Sequence, residues 1–181
     1  RDVLAMRKLI ESLGAQIEEV DANSWRIDTR ELTASHLDPD LCRRIRASIL
    51  IAGPVLARAG GLRLPPPGGD VIGRRRLDTH ILALQALGAT VIYDRVFEIK
   101  ANTLIGADIL LDEASVTATE NAIMAAALAK GTSHIHNAAS EPHVQELCHF
   151  LNQLGARING IGSNTLAIEG VEKLNGGEFT N

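Results

Sequence analysis

Aromatic side chains are scarce in this chain of 181 residues: three Phe, one Tyr and one Trp make up 3% of it. Its core must therefore be built from Leu, Ile, Val and Ala. Apolar types reach 45% of the residues, enough for one domain or two very small ones. Cysteine is nearly absent. Cys42 and Cys148 stand far apart with no CxxC or Cys/His metal spacing, and they read as reduced core thiols of a cytosolic protein. No apolar run reaches the length of a membrane-spanning helix. The opening RDVLAMRKLIESLG lacks the apolar core of a secretion signal. Positive charge is not in excess either: 18 Lys and Arg against 22 Asp and Glu leave a net charge of −4. With no basic helix face, this argues against nucleic acid as the main partner. The arginines cluster locally instead, at Arg43, Arg44 and Arg46 and again at Arg74, Arg75 and Arg76. Local positive charge in an acidic chain points to a small anionic ligand.

What the sequence does contain is an internal repeat. The tripeptide Leu-Gly-Ala recurs at Leu13–Ala15, Leu87–Ala89 and Leu154–Ala156. Ahead of each lies a helical pattern: Val3, Met6, Ile10 and Leu13 match Leu77, His80, Leu84 and Leu87, and then Val144, Leu147, Leu151 and Leu154. Spacings of three, four and three keep these positions on one helix face, which is expected to pack on sheet. The glycine suits a left-handed cap that ends the helix. Two short β-rich runs follow each cap, QIEEV with SWRID, TVIYD with VFEIK, and RINGI with TLAIEG, and these predict three hairpins. The second and third copies share an upstream half: RASILIAGPVLARAGGLRLPPPGG parallels TATENAIMAAALAKGTSHIHNAA. The unit is thus helix, strand, helix, strand, strand. The first copy shows no upstream half, so residues 1–181 are expected to be one domain of a longer protein, incomplete at its N-terminus. The tail VEKLNGGEFTN reads as a connection.

The stretch PPPGGDVIGRRRLDTH, residues 65–80, sets one carboxylate, Asp70, in a stiff turn beside three guanidinium groups. Such a loop suits an anion with an acid beside it. GGDVIGRRRLDTH resembles the active-site loop of the UDP-N-acetylglucosamine enolpyruvyl transferase (1-carboxyvinyltransferase) family, written G-G-C-x-I-G-x-R-P-x-D-x-H. The match holds at Gly68, Gly69, Ile72, Gly73, Arg75, Asp78 and His80. Arg46-Ala47-Ser48 with Gly53-Pro54 is similar to the family's R-A-S-x-x-x-x-G-P. Ser115 to Asn121, SVTATEN, resembles its S-V-x-A-T-E-N, and Asn137-Ala138-Ala139 with Glu141-Pro142 resembles N-A-A-x-E-P. The resemblance runs through essentially the whole chain in the same order.

That resemblance implies an α/β fold, the inside-out barrel of enolpyruvyl transferases, with two domains of three βαβαββ units each; about two and a half units fall in this chain. It implies transfer of the enolpyruvyl group from phosphoenolpyruvate to the 3-hydroxyl of UDP-N-acetylglucosamine, the first committed step of peptidoglycan synthesis, in the cytoplasm. No metal or organic cofactor is expected, and the second domain would supply further site residues. Asp70 stands where most of the family has the cysteine that the epoxide fosfomycin alkylates. A carboxylate is a far poorer nucleophile, so a fosfomycin-insensitive catalyst is expected. An ordinary Asp titrates near ~3.9, so acting as an acid requires an upward shift, expected when the loop closes over phosphoenolpyruvate.

By the same resemblance Arg75 contacts substrate through its guanidinium fork. Arg76 replaces the family's proline, and Arg76, Leu77, Asp78 and Thr79 line the sugar-nucleotide site. Arg46 binds the sugar nucleotide at the start of an apolar helix, where the helix dipole favours anions. Glu113, Ala114, Ser115 and Val116 form another part of that site, with Glu113 where the family often has lysine. Read from the residues alone, Ser115 is a helix N-cap, Asp78 a possible cap of the next helix, and His80 a partly buried structural histidine. Arg43, Arg44 and Arg74 are expected to be solvated. His134, His136, His143 and His149 show no recognised zinc spacing. Two alternatives stand beside the transferase: another enolpyruvyl transferase, and a non-catalytic protein that kept a UDP-sugar pocket.

Overall fold

A computed structural model of the chain describes residues 2–32, 36–69 and 77–180. Among them are six α-helices and nine strands, and all but the short α2 fall into the repeat that the sequence announces. The complete unit runs β6 (Asp108–Leu110), α5 (Val116–Ala126), β7 (Thr132–His136), α6 (Pro142–Gln153), β8 (Arg157–Asn159) and β9 (Thr165–Glu169). Its sheet has the order β6-β7-β9-β8, with β6 and β7 parallel and the other pairs antiparallel. The crossover from β6 to β7 passes through α5, as a parallel pair requires.

The preceding unit repeats this plan. A 3-10 turn (Arg46–Ile51) leads into α3 (Ala52–Ala59), then β3 (Gly61–Leu64), α4 (Asp78–Ala86), β4 (Thr90–Asp94) and β5 (Val96–Lys100). The strand order β3-β5-β4 matches β7-β9-β8. A parallel bridge between His36 and Arg63 stands where β6 pairs with β7 in the other unit. The first copy comprises α1 (Asp2–Ser12) and the hairpin of β1 (Gln16–Asp21) and β2 (Ser24–Asp28). The leading strand β6 is the first strand of the βαβαββ unit that the family resemblance implies, although its own residues gave no strand signal; the short helix α2 (Pro39–Arg44) was not anticipated from sequence. Six residues of α2 are too few for a periodic signal, although Asp38 caps it by accepting from the Asp40 and Leu41 amides.

All three Leu-Gly-Ala tripeptides end their helices in the same way. Gly14, Gly88 and Gly155 adopt φ of 109°, 97° and 100°. The alanine amide that follows donates five residues back, Ala15 to Ile10, Ala89 to Leu84 and Ala156 to Leu151. This is the Schellman arrangement, and it turns the chain into the first strand of each hairpin. The helix faces predicted from the repeat are buried or half-buried, with one exception. Val3 is 67% exposed, because the first turn of α1 runs past the packed layer, and Leu9 is buried instead. The segment opened by Arg46 is also not one α-helix. Pro54 cannot donate to the carbonyl of Leu50, so the chain stays in the tighter 3-10 form until α3 begins.

The core is Leu, Ile, Val and Ala, with α5 lying across it; Ala118, Ala122, Ile123, Ala125 and Ala126 are fully buried. Cys42 and Cys148 are buried free thiols, and burial pushes both up to about 11. No helix among the described residues is long and apolar enough to cross a membrane. The tail folds back on the last unit: the Asn175 amide donates to Leu154, and Phe179 packs on Phe150 with ring centroids 5.0 Å apart.

Candidate active site

Asp70, Arg74, Arg75 and Arg76 lie outside the described residues. The two ends of the loop that carries them are described, and both are tied to the other predicted site segments. At its entrance the Gly68 amide donates to Cys42 at 2.9 Å and the Gly69 amide to Arg43 at 3.1 Å, so the loop leaves from the C-terminal end of α2. Both positions demand glycine. A Cβ on Gly68 would sit 1.9 Å from the Arg43 carbonyl oxygen, and one on Gly69 2.9 Å from the Arg46 nitrogen. Arg46, half-buried, therefore stands directly beside the residue preceding Asp70.

At the exit Leu77 occupies the N-cap position of α4. Asp78 is the first helical residue and not the cap, because Leu77 takes that place without a side-chain cap bond. A carboxylate there still favours the helix through its dipole. Thr79 is buried, and its hydroxyl donates to Asp112 at 2.6 Å. That bond fastens the loop exit to the segment of Glu113, Ala114, Ser115 and Val116. Glu113 and Ala114 are exposed, and Ser115 and Val116 are half-buried. Ser115 is the N-cap of α5, its hydroxyl accepting from the Ala118 amide at 3.4 Å. Arg46, the loop exit and Ser115 thus open three helical segments, the 3-10 turn, α4 and α5, at neighbouring ends.

A buried network holds these ends together. Asn121, fully buried in α5, accepts from the Gly53 amide at 2.8 Å. Its amide nitrogen donates to the Ile49 carbonyl at 2.8 Å and approaches His80 Nδ1 at 2.9 Å. His80 Nε2 lies 3.2 Å from the Thr117 hydroxyl. Burial, and then the nearby Arg46 guanidinium, push the His80 imidazole down to about 4. His80 is thus more deeply buried than the sequence suggested, at 3% exposure. Thr119 ties α5 onward: its hydroxyl donates to Ser115 at 2.8 Å and accepts from the Ala139 amide at 3.0 Å. Asn137, in the N-A-A-x-E-P segment, takes φ of 58° and donates to Leu111 at 3.0 Å.

Sequence reasoning assigned no role to Asn121, Thr117, Thr119 or Asp112. The available signal was an amide in the middle of an Ala-rich helix, where a buried polar group must find partners. Among the other candidates, Arg43 is exposed and pairs with Asp40, and Arg44 is exposed. His134 pairs with Asp108 at 2.9 Å.

An apolar concavity lies elsewhere. A groove of about 430 Å³ is lined by Met6 and Ile10 of α1, Leu13 just past its end, Val55 of α3, Met124 of α5 and Leu147 of α6. Glu120 reaches its edge, and burial raises its carboxyl above the usual range.

Two units of one repeat thus set helical N-termini beside the described ends of a glycine-anchored loop. The profile of the family described as EPSP synthase (3-phosphoshikimate 1-carboxyvinyltransferase) matches residues 1–180, and the chain belongs to that family. Within it, the chain is 60% identical to a UDP-N-acetylglucosamine 1-carboxyvinyltransferase of Treponema denticola over 98% of its own length and 42% of the relative's. It is 57% identical to the enzyme of that name from Bradyrhizobium diazoefficiens, over 99% of this chain and 41% of that one. The chain thus spans about 42% of the length of such curated relatives. The fold matches the enolpyruvyl transferase NikO from Streptomyces tendae with a TM-score of 0.78 and 21% identity, over 94% of this chain and 40% of that one. An EPSP synthase from Acinetobacter baumannii matches with a TM-score of 0.73 and 18% identity, over 96% of this chain and 40% of that one.

Proposed function

We propose that residues 1–181 are the catalytic-loop-bearing part of a UDP-N-acetylglucosamine 1-carboxyvinyltransferase. The observation that carries this is the anchoring of one loop at its two ends, by the Gly68 and Gly69 amides to α2 beside Arg46 and by Thr79 to Asp112, which precedes the Glu113–Val116 segment. In this reading Arg46, Arg75 and Arg76, the stretch Leu77, Asp78 and Thr79, and the stretch Glu113, Ala114, Ser115 and Val116 bind UDP-N-acetylglucosamine and phosphoenolpyruvate. Asp70 gives its proton to C3 of phosphoenolpyruvate while the sugar 3-hydroxyl, losing its own proton, attacks C2. The tetrahedral adduct then returns a C3 proton to the Asp70 carboxylate and expels inorganic phosphate, which takes up the proton that the hydroxyl lost, leaving the enolpyruvyl ether. Neither step calls for a metal or an organic cofactor. The substrates are charged cytoplasmic metabolites, and the reaction is assigned to the cytoplasm.

The activity is assigned to a longer polypeptide, because preorganised charge must close on the substrate from both domains. Internal symmetry supports reading the chain as one incomplete domain. α3 and α5 are equivalent inner helices, and the apolar groove is lined by both, by α1, and by the last outer helix α6. The test is to incubate the full-length protein with both substrates and follow phosphate and product together. Equal amounts of phosphate and 3-O-enolpyruvyl product, each requiring both substrates, are expected. Binding of UDP-N-acetylglucosamine without phosphate release would favour the non-catalytic alternative.

A further inference from the structure

The loop anchors account for Gly68, Gly69 and Thr79, but not for the fully buried amide between the three helical segments. Asn121 has one orientation available to it. Its oxygen must face the Gly53 amide, and its nitrogen must face the Ile49 carbonyl, since the reverse would set two acceptors and two donors against each other. The second hydrogen of that nitrogen then points at His80 Nδ1, which has to accept. The imidazole proton is left on Nε2, where it donates to the Thr117 hydroxyl. One amide therefore fixes the tautomer of a histidine two positions after Asp78. It also fixes the 3-10 turn that begins with Arg46 and the first turn of the helix capped by Ser115. Gly53 lets the helices come this close: a Cβ there would lie 2.5 Å from the Asn121 carbonyl oxygen.

We propose that Asn121, acting through neutral His80, is a positioning residue that holds Arg46, the loop exit at Leu77–Thr79 and the Ser115–Val116 segment in one register for the sugar nucleotide. The proposal rests on the function given above. Asn121 touches no substrate itself; its bonds set where the three segments point. Backbone placement matters more to this site than to a side-chain site, because Ser115 and Val116 would offer backbone groups.

The test compares Asn121→Asp and Thr117→Val with the unsubstituted full-length protein. Asn121→Asp keeps the acceptor for Gly53 but loses both donated bonds; Thr117→Val keeps the shape and removes the acceptor for His80 Nε2–H. Steady-state kinetics are read alongside hydrogen exchange at residues 45–53, 77–81 and 115–119. For Asn121→Asp, KM for UDP-N-acetylglucosamine is expected to rise about tenfold while kcat changes less than about threefold. Exchange is expected to quicken in all three segments together. Thr117→Val should shift both readouts the same way by less, and it decides the matter if Asn121→Asp does not fold. An unchanged KM, or quickened exchange confined to α5, would overturn the proposal. If the unsubstituted protein does not turn over, the function proposed above fails; the exchange pattern then decides the positioning role alone.

Discussion

Replacing Gly53 with alanine tests the packing that gathers the candidate site. At an ordinary helix position this change stabilises by about 1 kcal/mol, because glycine is the poorer helix former. Here the added Cβ would lie 2.5 Å from the Asn121 carbonyl oxygen and 2.9 Å from its Oδ1. The first of these atoms is backbone, so α3 and α5 must separate instead of a side chain swinging away. Overpacking of this kind costs about 1–3 kcal/mol. Separation also stretches the bond from the Gly53 amide to Asn121, for about 1 kcal/mol more. Set against the helix-propensity gain, a net loss of about 1–3 kcal/mol is expected, which lowers Tm by roughly 3–10 °C. Equilibrium urea unfolding followed by far-UV circular dichroism reads it directly. A midpoint that stays put or moves up would refute the close crossing of α3 and α5 at this residue.

His80 predicts an acid dependence. The fold holds its neutral ring and lowers it from the usual 6.5 to about 4. The stability attached to it is full above pH 6.5 and is lost as pH falls towards 4, on the order of 3 kcal/mol in all. Urea midpoints measured from pH 7 to 4 should fall more steeply in the unsubstituted protein than in His80→Gln, and equal slopes would contradict the burial. Cys42 and Cys148, held up near 11 by burial, should resist iodoacetamide at pH 8 in native protein and react in urea. Rapid native labelling of either would contradict its placement in the core.

Local patterns were legible in the sequence where each residue's own geometry decides the outcome. The Leu-Gly-Ala caps and the hairpins of the three copies follow from glycine's access to positive φ and from strand composition, and they stand where the sequence put them. Ser115 was legible as a cap for the same reason. What escaped depends on partners distant in sequence. β6, with three residues paired to β7, came only through the βαβαββ unit of the family resemblance and not from its own pattern. Asn121 acquires its partners from Ile49, Gly53 and His80, on segments that meet only after folding. Asp78 was misplaced by one position because Leu77 begins α4 without any side-chain cap, so no cap residue marks the boundary.

The central claim is that Asp70 serves as the acid of an enolpyruvyl transferase in place of the usual cysteine. The most direct measurement is phosphate release by the full-length protein from phosphoenolpyruvate and UDP-N-acetylglucosamine, with and without excess fosfomycin, in the unsubstituted form and in Asp70→Cys. Turnover that ignores the drug in the first and is abolished by it in the second is the predicted result. Loss of activity to fosfomycin with Asp70 in place, or UDP-N-acetylglucosamine binding without any phosphate release, would contradict it.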